Sequence, residues 1–445
     1  MHSHIAPWRA ALRLVLPAAV AALALVAITV LARCQPEEPT GPAAARVPPP
    51  APADPTVWAR FRGPQGSGHA PFVEPPSGWD VATGAGIAWR TPLALPGANS
   101  PVIWHYRLFV TGADATRREV YCLDAHTGEL RWTVPVASDW EGAPRLHAMT
   151  GHAPATGTTD GQRVYEVFPT GHVVALDFAG SPVWERWFDM SEDIYGHATS
   201  LVLHGDLLYL QIDLGKPDIG RSHLVALDPA TGATVWDIPR PVQGSWTTPI
   251  VITAMGPDGW REELITSAKP WVIAYDPLTG EEYWRVRCIE GDSAPSPIHA
   301  NGHILVANIY AELTAIRPGG SGDVTETRVA WSEPGRLPDI TSPLSNGELV
   351  WTLATNGLLS CYDAADGALI WTEALQARFR TSPSLIGDNV LLISEAGEAI
   401  IFAAEREYRQ VAGGTFGETV YSCPAFAHGR MYVRGEGHVF CVEGR

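Results

Sequence analysis

Short apolar runs dominate the chain, and they recur in one arrangement. His172-Val-Val-Ala-Leu, His223-Leu-Val-Ala-Leu and Trp271-Val-Ile-Ala-Tyr each run straight into an aspartate. Runs of about five β-branched and aliphatic residues bounded by turn residues predict strands rather than helices. The aspartate opens a fixed sequel of a turn with glycine and a tryptophan four residues after it. The instances are Asp124–Trp132, Asp177–Trp184, Asp228–Trp236, Asp276–Trp284 and Asp363–Trp371. Asp accepts backbone amides in the turn, Gly takes the positive φ of a tight hairpin, and Trp starts the returning strand. Upstream of these strands lies a second element, a small polar residue before proline and an apolar run: Ser100-Pro101, Thr248-Pro249, Ser296-Pro297, Ser342-Pro343 and Ser382-Pro383. With the intervening strand after a Gly turn, as in Gly205-Asp-Leu-Leu-Tyr-Leu, each unit has four strands.

Trp89, Trp132, Trp184, Trp236, Trp284, Trp331 and Trp371 are spaced by 43, 52, 52, 48, 47 and 40 residues, the period of propeller blades. A further unit from Thr381 to about Tyr408 lacks its Trp, and a last one from Thr419 to Val442 stops before an outer strand. Ile87-Ala-Trp-Arg-Thr has the opposite defect, an outer strand with no blade before it. Pairing the two removes two exposed sheet edges. The expected fold is therefore all-β, an eight-bladed β-propeller of four-stranded antiparallel blades over residues 58–445, with seven blades as the count if the degenerate second unit is misread.

The Ala-Leu-Asp-x-x-Thr-Gly-x-x-x-Trp pattern ending at Trp236 resembles the repeat of pyrroloquinoline quinone (PQQ) dehydrogenases and of BamB-type outer-membrane assembly lipoproteins. Phe61-Arg-Gly-Pro-Gln-Gly-Ser-Gly, Ser245-Trp-Thr-Thr-Pro, Ile316-Arg-Pro-Gly-Gly-Ser-Gly and the terminal Gly-Arg-Met-Tyr-Val-Arg look like PQQ-like propeller proteins of bacterial envelopes. The resemblance implies that the seven tryptophans stack between blades as core.

Leu14 to Leu31 is almost wholly apolar and follows Arg9 and Arg13, the arrangement of an export signal or anchor. Eighteen helical residues reach about 27 Å, a marginal bilayer crossing. Residues 1–34 are assigned to this segment and the Pro/Ala-rich stretch 35–57 to a linker. Cys34 follows Leu-Ala-Arg, and Arg33 stands where a lipoprotein signal needs a small residue. A retained anchor with the bulk outside the cytoplasm ranks first, with a cleaved signal and a lipoprotein as the alternatives.

The net charge is −17, and the first 53 residues carry +2, leaving −19 for the rest. That excludes nucleic acid as a partner. The six cysteines form no C-x-x-C pair and no vicinal pair, so neither a metal site nor a disulfide scaffold has its spacing. Cys122, Cys361 and Cys441 hold equivalent repeat positions and read as small buried hydrophobes.

Candidate chemistry is confined to loops that open the units. His147, His152 and His197, with Asp292, Asp339 and Arg380, are candidates to converge on a ligand at the axial channel, against the plainer reading of histidines satisfied in loops. No catalytic residue and no metal ligand is assigned. A quinoprotein would need PQQ, calcium and a carboxylate set, and the resemblance implies a vicinal disulfide that this sequence lacks. The leading expectation is therefore a non-catalytic envelope scaffold that binds outer-membrane or other envelope proteins without a cofactor. PQQ-dependent oxidation, or a small molecule or carbohydrate in the channel, is the alternative.

Overall fold

The computed structural model describes residues 54–137, 146, 147, 150–190, 193 and 195–444. The proposed anchor at 1–34, Cys34 and nearly all of the 35–57 linker lie outside them. Among the described residues no helix is long and apolar enough to cross a membrane.

The strands form a β-propeller of four-stranded antiparallel sheets, eight sheets in all among the described residues, some extended by short extra strands. A typical sheet, the third, runs Val202–His204, Leu207–Ile212, His223–Leu227 and Thr234–Pro239 from inner to outer edge. Its inner strands are buried on both faces and its outer strand alternates. Apolar clusters fill the spaces between neighbouring sheets: Val202, Tyr209 and Leu224 of the third pack on Leu264, Ile273 and Tyr275 of the fourth.

The Asp–Gly–Trp hairpins set that spacing. The Asp228 carboxylate accepts the amides of Ala230 and Thr231 at 2.7 and 3.0 Å, and Gly232 takes φ +71°. A Cβ on Gly232 would sit 2.7 Å from the indole of Trp184, from the preceding sheet. Trp184 Nε1 also donates to Pro229 O, 2.9 Å away. Glycine is required there because the neighbour's tryptophan lies flat on the turn. Gly128 under Trp89 and Gly367 under Trp331 repeat the arrangement.

Ile87–Pro92 pairs antiparallel with His438–Val442, with Trp89 opposite Cys441. Trp89 Nε1 reaches Ala125 O of the first sheet at 3.2 Å, so an N-terminal strand completes the last sheet and docks it on the first. In the seventh sheet, whose unit has no tryptophan of its own, the indole comes from elsewhere. Trp79–Asp80 pairs parallel with the outer strand Gln410–Thr415, and Trp79 lies on Gly414, where a Cβ would be 2.3 Å from its ring.

The segment before Trp79 crosses the axis. Val57–Trp58 pairs with the inner strand of the first sheet, and Ala59 O accepts from Thr158 and Thr159 of the second. Arg60 donates to Pro249 O of the fourth at 2.8 Å, and Arg62 to Pro343 O of the sixth at 2.9 Å. His69–Ala70 then joins the seventh. Residues 57–70 are thus a plug that ties inner strands together from five sheets.

Candidate functional site

At the axis each sheet contributes one residue immediately before its inner strand, and these eight form a collar. The amides of Ser100, Thr156, Ser200 and Thr248 donate to the hydroxyls of Thr156, Ser200, Thr248 and Ser296 at 2.9, 3.1, 3.1 and 2.9 Å. Ser296 continues to Ser342 and Ser342 to Ser382, at 3.0 and 2.9 Å. The Ser382 amide meets Cys423 Sγ at 3.2 Å, and the Ser100 side chain hydrogen-bonds Cys423. Burial pushes the Cys423 thiol up, so it stands neutral in a ring of hydroxyls. The hydroxyls of Thr156, Ser200, Thr248, Ser296, Ser342 and Ser382 each accept an amide and retain a proton to donate.

All eight collar residues line one cavity of about 850 Å³. Phe61 of the plug also lines it, and the walls above carry Tyr195, Trp246, Ile309, Tyr310, Tyr421 and Glu436. The tilt of the walls is fixed locally: Trp246 Nε1 donates to Gly196 O at 3.1 Å, and Tyr195 meets Trp246 edge-on at 5.0 Å. Tyr310 covers Gly291, where a Cβ would clash at 2.2 Å.

Of the six site residues expected from the sequence, His152, Asp292, Asp339 and Arg380 line this cavity. Three of them, Asp292, Asp339 and Arg380, are engaged within the ring. Gln243 Nε2 donates to Asp292 at 2.9 Å, the Thr355 amide to Asp339 at 3.3 Å, and Arg380 Nε to Glu395 at 3.0 Å. Arg380 also lies 4.8 Å above the Tyr421 ring. Burial lowers the pKa of His152, and nearby Arg118 lowers it further.

His147 and His197 are not in the lining. His147 is exposed and packs edge-on against Tyr195 at 5.0 Å. His197 is buried behind the wall, where desolvation pushes it down to about 4, so its imidazole is neutral. The aromatic walls, Glu436, Phe61 and the collar members Thr156, Ser200 and Cys423 were not singled out in the sequence. Cys423 carried a usable signal, since Cys423-Pro424 repeats the Ser-Pro pattern with sulfur for oxygen.

Glu166, Asp193, Asp213 and Glu263 are buried outside the cavity lining. Asp213 pairs with Arg240, both fully buried, and accepts from Ser245 and Gln211. Glu263 is held by Arg261 at 2.8 Å and by Trp284 Nε1 at 2.9 Å. Glu166 is buried, and desolvation pushes it up to about 8.

The donor set does not fit a quinone held over calcium. Among the described residues no three His, Cys, Asp or Glu side chains group to hold a metal ion. The two aspartates facing the cavity, Asp292 and Asp339, belong to different sheets and bond to separate partners.

No curated protein matches the sequence. Among solved structures, BamB from Moraxella catarrhalis superposes with a TM-score of 0.60 at 15% identity, covering 80% of this chain and 99% of that one. Quinohemoprotein alcohol dehydrogenase from Comamonas testosteroni superposes with 0.64 at 14% identity, covering 89% and 82%. A europium-containing methanol dehydrogenase gives 0.54 at 11%, covering 86% and 91%. These likenesses establish the propeller fold, which hosts more than one function. The family described as outer membrane protein assembly factor BamB matches residues 77–243, 220–345 and 322–410, and with most of the propeller so covered, the chain belongs to that family.

Proposed function

We propose that the protein is a non-catalytic, eight-bladed propeller of the cell envelope that docks a protein partner at the cavity rim, in the manner of an outer-membrane assembly factor. The observation that carries this reading is the contrast at the rim. Two of the ionisable groups there are tied to neighbours, Asp292 to Gln243 and Arg380 to Glu395. The apolar groups stand out, with Ile309 at 47% and Tyr310 at 69% exposure. Adjacent exposed apolar and aromatic side chains on a rigid support are the composition of a docking patch.

In this reading residues 1–34 hold the protein to the membrane outside the cytoplasm, residues 35–57 tether it, and 58–445 is the ring. Thr56 bonds His105 in the hairpin that follows the inner strand of the first sheet, at the end away from Ser100 and the collar.

A photo-cross-linking residue in place of Tyr310, in cells, tests this. The expected result is capture of one defined envelope or outer-membrane protein, absent when the label replaces Leu278 on an outer hairpin turn. Failure to capture an envelope protein at Tyr310, or equal capture at both positions, refutes it.

A further inference from the structure

We propose that the axial cavity binds a neutral carbohydrate, the end of a short oligosaccharide entering from the rim. Phe61 of the plug lines the cavity, and the flanking Arg60 and Arg62 bond carbonyls of the fourth and sixth sheets. The cavity volume, about 850 Å³, suits a small ligand rather than a folded partner.

The wall chemistry selects the class. Tyr195, Trp246 and Tyr310 supply aromatic surface, whose electron-rich faces match the polarised C–H faces of sugar rings. The collar offers a ring of O–H donors, and Asp292 and Asp339 offer carboxylate oxygens that accept ligand hydroxyls. A wholly apolar ligand would strand these polar groups. An anionic ligand would meet Asp292, Asp339 and Glu436 against Arg380, which is already bonded to Glu395. A ligand with apolar ring faces and hydroxyl edges, and no negative charge, satisfies every wall, and a sugar meets those terms. The site shares Tyr310 with the rim patch, but neither proposal requires the other to hold.

The test titrates the full-length protein in detergent with maltotriose, cellotriose, mannotriose and triacetylchitotriose, by calorimetry and tryptophan emission. Trigalacturonic acid and trilysine are the charged comparators. Saturable binding of at least one neutral trisaccharide, tighter than either comparator, is expected. Trp246→Ala and Asp292→Asn should each weaken it, the first by about tenfold. Asp292 is exposed, so its variant tests the site even where Trp246→Ala disturbs the fold. Absence of saturation by every neutral sugar, tighter binding of a charged comparator, or unchanged affinity in a folded Asp292→Asn protein overturns the proposal.

Discussion

Replacing Glu166 by Gln should change the pH dependence of stability in a defined direction. Glu166 is 1% exposed in the strand Arg163–Val167, and a Cβ on Gly157 would meet its carboxyl oxygen at 2.4 Å. Burial raises its folded pKa from 4.5 to about 8. The unfolded carboxyl ionises near 4.5, whereas the folded one keeps its proton to about 8. The stability is therefore fully present below the unfolded value and lost as pH rises through the folded one. At 1.36 kcal/mol per pKa unit, the wild type loses about 2–3 kcal/mol by pH 6.5 and about 2 more by pH 8.5. Other buried groups titrate lower, among them His197, held down to about 4, His172, also lowered by burial, and Asp193, raised to about 6. These are common to both proteins, so the difference between wild type and Glu166→Gln from pH 6.5 to 8.5 isolates Glu166. Urea midpoints across that interval should fall for the wild type relative to Glu166→Gln, by about 2 kcal/mol after multiplication by the slope. Parallel profiles for the two proteins would show that water or a partner reaches the carboxylate, and would refute the reasoning.

Two further substitutions probe the ring. Trp184 Nε1 donates to the next sheet's turn at 2.9 Å, whereas Trp371 Nε1 is buried with no partner among the described residues. Trp184→Phe should cost about 1–2 kcal/mol and Trp371→Phe close to nothing in guanidinium melts; equal losses at both sites would contradict the difference in bonding. Arg62 is 2% exposed, and its guanidinium bonds the carbonyls of Gly66, Ser67 and Pro343 at 3.3, 3.1 and 2.9 Å. Arg62→Met removes a desolvated charge but strands those acceptors, so a net loss of about 2–4 kcal/mol is expected; a change under about 0.5 kcal/mol would mean that the plug contributes nothing to stability.

The repeats were legible because their signal is local: the Asp carboxylate, the Gly φ and the Trp all act within nine residues of each other. The pairing of Trp89's strand with the last sheet was inferable because each half had a visible defect. The irregular units were harder to read, each for a physical reason. The second has Thr156-Gly157 where five others have Ser-Pro or Thr-Pro, and the Glu166 carboxyl fills the space beside Gly157. The turn after Ile316 has no Asp–Gly–Trp spacing because Gly319 and Gly320 pack against the fourth sheet, Gly319 donating to the Glu263 that also holds Trp284. Trp79 serves the seventh sheet through parallel pairing with a strand at the far end of the chain, and no periodicity records that. Arg60 and Arg62 look like solvated residues in sequence, since their acceptors are backbone carbonyls of distant strands. The cavity walls come from loops, where spacing carries no information about convergence; hence His152 was separable from His147 and His197 only in three dimensions.

The ring is closed three times over, and this bears on how it can work. A borrowed strand joins the last sheet to the first, the collar links all eight inner strands, and the plug crosses between five sheets. Opening any seam would break collar bonds as well as apolar contacts between sheets, and those contacts have no alternative partners. Ligand-driven opening of the ring would therefore need differential affinity large enough to offset several such terms. On the proposals above, recognition occurs on preformed surfaces, with side-chain adjustment at Tyr310 and its exposed neighbours instead of movement between sheets. The family match begins at residue 77, after the plug, so Phe61, which the plug places in the lining of the cavity, lies ahead of the matched repeats.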